Sequence, residues 1–201
     1  MAGTLPHAVF VETDLDPSGT AAAFAGELPG CAAFGSGPAE AVAAVPARVG
    51  AFVAWLRAHG EALTEPVGNW YEVERAPAAP AGESIRRATF SLDELPPSAG
   101  ELATWLHWAD LAREDLADAL DATPGAVLDA TWIADQDLAL AADLGARHAP
   151  PDGAPPLDRL YAARDVLIEA LGSAGLDGGV RRVIRLVIAD DLRMTERLRD
   201  R

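Results

Sequence analysis

Residues 26–60, GELPGCAAFGSGPAEAVAAVPARVGAFVAWLRAHG, decide the fold of the first half of this chain. Leu28-Pro29-Gly30 is turn chemistry, because proline presets φ and glycine admits a positive φ. Cys31 to Phe34 then predicts a short strand. Ser36-Gly37-Pro38 predicts a helix start, with a small cap followed by proline in the first turn. Val42, Val45, Val49, Phe52, Val53 and Leu56 recur at helical spacing and form one apolar face. Pro46 and Gly50 interrupt this run. A fully interior proline costs ~3 kcal/mol, so a bend or a late true start is expected there. Gly60 lies close to where a C′ glycine stops a helix.

Outward from this run, His7–Thr13 (HAVFVET) is β-branched and aromatic and predicts a strand. DLDPSG is a turn, and Thr20–Glu27 predicts a second strand weakened by its alanines. Trp70–Arg75 (WYEVER) predicts a fourth strand. A small antiparallel sheet with one packed helix, in the order βββαβ, is the expected first domain over residues 1–76. APAAPAGES is a semi-rigid Pro/Ala linker. IRRATFSL reads as an extra strand or an extended arm, and residues 77–99 are expected to link the halves. From 100 to 201 the pattern is helical, with helices predicted over Gly100–Ala122, Val127–Arg147, Leu157–Leu171 and Val180–Leu198. Short connections point to an all-α four-helix bundle. The fold class is therefore α+β followed by all-α.

Composition excludes several functions. The chain has 31 acids against 16 bases, a formal charge of −15 that splits nearly evenly at Gly100. A nucleic-acid partner is not expected, since phosphate binding needs clustered cations. Every base is Arg and none is Lys, which fits GC-rich coding rather than a mechanism. The single cysteine, Cys31, forbids an internal disulfide and a Cys-based metal cluster. No run approaches membrane-spanning length and the N-terminus lacks a signal pattern, so a soluble cytoplasmic protein with no membrane partner is expected.

The first half resembles the HicB-like antitoxin fold. Glu27-Leu28-Pro29-Gly30-Cys31, Gly35, Glu40-Ala41 and Gly60 carry the resemblance, over roughly Leu5 to Ala76. It implies a degenerate relative of the RNase H and double-stranded-RNA-binding folds that lacks nuclease activity and binds a small toxin. A DNA-binding segment follows in that family, whereas acidic helices follow here. The second half is similar to DinB-like four-helix bundles through LYAARDVLIEAL and VIRLVIADDLRMTERLRDR. That resemblance implies a three-histidine metal site in many members. Its positions fall here on Trp132, Val187 and either Asp191 or Met194, so the triad is absent. Neither a metal nor a cofactor is expected.

Asp191 interrupts the apolar stripe Val180, Ile184, Val187, Met194, Leu198. Arg164 interrupts the stripe Leu157, Tyr161, Ile168, Leu171. A buried charge needs a partner, so Arg164 and Asp191 are expected to meet inside the helices. They form either a structural ion pair or the floor of a ligand pocket, with Trp132 and His107 as further lining candidates. Trp105 and Trp108 read as core. His7, His59, His107 and His148 share no metal-binding spacing. Cys31 lacks an adjacent base. Asp14, Asp16, Glu27 and Glu40 could be read as a metal-binding nuclease cluster, but Asp14 and Asp16 lie in the turn-forming DLDPSG, which explains them without a metal. The acidic runs REDLADALDA and ADQD read as solvated helix faces. No catalytic residue emerges. The expected function is a non-enzymatic binding module that contacts a protein partner or a second copy, with a homodimer as one form. The alternative is a metal-independent small-molecule-binding protein or enzyme with a pocket at Arg164 and Asp191. A toxin–antitoxin pair with a small basic partner is a third reading.

Overall fold

The computed structural model describes residues 7–66, 68–78, 87–123, 125–147, 154–174 and 179–201. Expectations placed on Pro124, His148, most of the linker at 79–86 and residues 150–153 lie outside them. The chain is α+β and divides into two compact units, one drawn from residues up to 92 and the other from residues 93–201.

In the first unit, β1 (His7–Thr13), β2 (Ala21–Ala25) and β3 (Ala32–Gly35) form an antiparallel meander. Helix α1 (Pro38–Ala58) follows, and then β4 (Trp70–Pro77). The strand order is β3-β2-β1-β4. The expected all-antiparallel sheet is corrected here, because β4 runs parallel to β1 and the sheet is mixed. Topology dictates this. β3 runs the same way as β1, α1 carries the chain back, and the next strand repeats the β1 direction. A bulge at Val73 leaves that residue without a register partner on β1.

Helix α1 starts at Pro38, so the late start expected from Pro46 does not occur. Pro46 is exposed, and water can solvate the carbonyl that its missing N–H leaves free. Ala41, Val45, Val49, Phe52, Val53 and Leu56 are buried. Gly35 permits the close turn into this helix, since a Cβ there would lie 2.6 Å from the Ala41 nitrogen. Gly60, at φ +90°, ends the turn after the helix. By length and composition α1 is apolar enough to cross a membrane, contrary to the expectation for this chain. Six of its apolar side chains are buried in the unit's core.

The other face of the sheet is covered by residues 87–90. Phe90 packs on Phe10 and Phe24, with ring centroids 5.4 and 6.2 Å away. Arg87 and Ala88 bind the buried Glu12 of β1. Part of the segment expected to be linker is thus core, in a non-strand conformation, and a 3-10 turn (Ser91–Glu94) follows it.

The second unit contains α2 (Ala99–Ala122), α3 (Val127–Asp143), α4 (Pro156–Ala174) and α5 (Val180–Arg199). Helix α3 stops short of the expected Arg147 because Gly145 turns the chain at φ +89°. The main pairings are α2 with α5 and α3 with α4. Arg181 stacks over Trp105 near one end of the α2–α5 pair and Arg199 meets Asp115 further along, so these helices run parallel. Helices α3 and α4 also run parallel, since both starts line one cavity and both ends line another. The 12 residues between them can span about 40 Å extended, more than the roughly 25 Å length of α3. Leu116, Ala130, Ile133, Leu160, Met194 and Leu198 share one apolar cluster.

Helix α2 opens with a capping box. Glu101 N–H donates to Ser98 Oγ at 3.2 Å, and Ser98 N–H donates to the Glu101 carboxylate at 2.8 Å. Hydrogen bonding to the carboxylate by the Ser98 backbone N–H, and secondarily by the Ser98 side chain, holds the Glu101 carboxyl below its ordinary value. A depressed carboxyl contributes stability that is present above its unfolded pKa and lost as pH falls through its folded pKa. Ser98→Ala is therefore expected to cost about 1 kcal/mol at neutral pH. Part of that cost should vanish in acid, as read by denaturant melts at neutral and acid pH.

Candidate functional site

Each helix of the second unit places one charged side chain toward the others. On α2, Arg113 falls between Ala109 and Leu116 on the buried face. On α3, Asp137 lies among Ala134, Leu140 and Ala141. On α4, Arg164 lies between Leu160 and Leu167, and on α5 Asp191 lies between Val187 and Met194. Their exposures are 4, 2, 5 and 1%.

The four groups alternate in sign and close on one another. Asp137 Oδ2 accepts from Arg113 Nη2 at 2.8 Å and from Arg164 Nε at 3.0 Å. Asp191 accepts from Arg113 Nη2 at 2.9 Å and from Arg113 Nε at 3.1 Å. Its Oδ2 also accepts from Arg164 Nη2 at 2.8 Å. Burial pushes the Asp191 carboxyl up and Arg113 and Arg164 pull it back, with the net shift upward. Burial alone would lower Arg164, but Asp137 and Asp191 more than reverse it. Each carboxylate is thus held between two guanidinium groups and each guanidinium between two carboxylates.

Arg164 and Asp191 were expected from sequence to meet, and the structure brings them together. Arg113 and Asp137 were missed. They sit in REDLADALDA and ADQD, which read as solvated faces, and this is corrected because both side chains are buried. The signal was present: Arg113 shares the α2 face of Ala109, Leu116 and Leu120, and Asp137 shares that of Ala130, Ile133 and Ala141. The α4 face is also rotated from the expected one. Tyr161 is 49% exposed while Leu160 and Leu167 point inward. Trp132 is 46% exposed and His107 is exposed, and neither belongs to the network. Trp105 and Trp108 are buried.

The network has little chemistry to offer. Arginine is not a proton donor at ordinary pH, and the carboxylate oxygens already face N–H groups. A cavity of about 330 Å³ opens near the starts of α3 and α4, against Leu120, Thr123, Ala126, Val127, Pro155 and Leu157. Arg164, Asp191, Trp132 and His107 do not line it.

In the first unit, burial pushes the Cys31 thiol up to about 12, against a weaker opposing pull from Arg48. The acids considered there for a metal are spent separately. Asp16 accepts Ser18 and Thr20 N–H groups, the Glu27 carboxylate meets His7 Nδ1 at 2.8 Å, and Glu40 accepts from Ser36. Among the described residues, no three potential metal-ligating side chains converge. The chain matches no family model, no curated protein and no solved structure with which it was compared.

Removing one member of a buried charge network leaves a bare charge, at a cost of about 3–5 kcal/mol, whereas removing a matched pair costs far less. Arg164→Met and Asp191→Leu are each expected to cost that much in urea melts. The double variant should lose well under the sum. Additive losses would contradict the coupling.

Proposed function

We propose that this protein is a non-enzymatic interaction module, with β4 of the first unit as a contact edge for a protein partner. The supporting observation is the strand itself. β4 is an eight-residue edge strand, with Tyr71 and Val73 51% and 58% exposed. The opposite edge, β3, has four residues. Edge strands pair with extended segments through main-chain hydrogen bonds and select them through alternate side chains. The formal charge of −15 favours a cationic segment over a second acidic copy. The likeness of the first half to HicB-like domains and of the second to DinB-like bundles belongs to this proposal, as does a cytoplasmic location. The ligand-pocket alternative is less well supported, because Arg164 and Asp191 are occupied by Asp137, Arg113 and each other.

The test uses full-length protein purified from its own host at low salt, beside Val73→Pro and Tyr71→Lys. Proline is tolerated at an edge bulge but removes a donor. Native mass spectrometry should show a stoichiometric polypeptide retained by the unaltered chain and reduced about tenfold, or ~1.4 kcal/mol, in either variant. Equal retention in all three, or a bare monomer throughout, would contradict edge pairing.

A further inference from the structure

We infer that the face of the sheet opposite α1 is a peptide-recognition surface, held closed by this chain's own residues 87–91, and that it takes an arginine-bearing extended segment of a partner in exchange. The inference rests on reading the first unit as an interaction module and adds the chemistry of the segment it recognises.

The surface has a pattern across three strands. Phe24, Phe10 and Glu74 are register partners in one row, and Ala22, Glu12 and Ala76 are partners in the next. An aromatic pair therefore lies beside an acid flanked by two alanines, whose small side chains leave room above Glu12. Residues 87–91, Arg-Ala-Thr-Phe-Ser, fill this pattern position by position. Arg87 Nε donates to Glu12 Oε2 at 3.0 Å, and its guanidinium carbon lies 6.0 Å from the Phe24 ring centroid. The Ala88 N–H donates to the other Glu12 oxygen. Thr89 points outward and is exposed. Phe90 is 1% exposed against Phe10 and Phe24. Ser91 N–H and Oγ donate to Glu74.

Glu12 is 0% exposed. With the segment removed and nothing in its place, a carboxylate would stand bare among phenylalanines, which is strongly disfavoured. The face is therefore poor as an empty surface and good as an exchange surface. A partner with Arg, and Phe three residues later, satisfies the same groups. The partner must outcompete a tethered segment whose effective concentration is in the millimolar range.

The experiment uses the full-length chain and a synthetic peptide of residues 86–92, RRATFSL. Phe90→Ala weakens the internal segment, and Arg87→Ala is a second variant in case the first does not fold. The peptide should raise the melting temperature of these variants and bind them at least about tenfold more tightly than it binds the unaltered chain. The same peptide with its phenylalanine replaced by alanine should bind about tenfold more weakly. In the unaltered chain, millimolar peptide should speed hydrogen exchange at the Ala88 amide. Equal binding by unaltered and weakened chains, equal binding of the alanine peptide, or no change at Ala88 with millimolar peptide would overturn the exchange. Peptide binding alongside a host complex indifferent to Val73→Pro would retire the β4 edge and keep this face. A complex lost in Val73→Pro without peptide binding would do the reverse.

Discussion

A charge taken out of water must find its counter-charge, and this constraint organises both units. In the helical unit it acts most extensively where Arg113, Asp137, Arg164 and Asp191 meet with one residue from each helix. Apolar contacts alone tolerate sliding and rotation, because leucine and alanine faces are alike. Four charges that must alternate tolerate neither. A rotation of α4 by one residue would swing Arg164 out of the ring and leave two aspartates short of a partner. The network therefore adds register to a core whose driving force is burial of alanine, leucine and isoleucine.

The same device recurs elsewhere. Glu12 and Arg87 form a buried pair in the sheet unit, and Asp93 and Arg185 form a bidentate pair in the helical unit. Every cation in these sites is arginine. Its planar fork can serve two acceptors at once, which an ammonium group does with less directional control. The lysine-free composition, which fits GC-rich coding, also has a use in the folded chain. Buried arginines bind carboxylates through Nε and Nη together at Asp191 and Asp93.

Periodicity and turn chemistry are local, so much of the architecture is legible from them. The order of strands and helices, the helix starts at Pro38 and Val180, and the stop near Gly60 follow from neighbours a few residues away. Three features are not local. The parallel pairing of β4 depends on where α1 delivers the chain. The burial of Arg87 and Ala88 depends on Glu12, some 75 residues earlier in the sequence. Arg113 and Asp137 look like surface residues until the helix faces are phased together, since a charge on a buried face is uncommon and their neighbours are acidic. Asp191 and Arg164 were easier to see because long aliphatic stripes surround them. Trp132 is a candidate through the bundle resemblance and His107 through its place between two tryptophans, and the helix phase turns both outward.

The central claim is that the four charges in the helical unit are consumed by one another. The most direct measurement is NMR of the arginine side chains in the full-length protein labelled with nitrogen-15 at arginine. Closed pairing predicts that the Nε–H signals of Arg113 and Arg164 are resolved and exchange slowly with water, while that of the exposed Arg197 exchanges fast. Fast, averaged signals for Arg113 and Arg164, like those of Arg197, would contradict it.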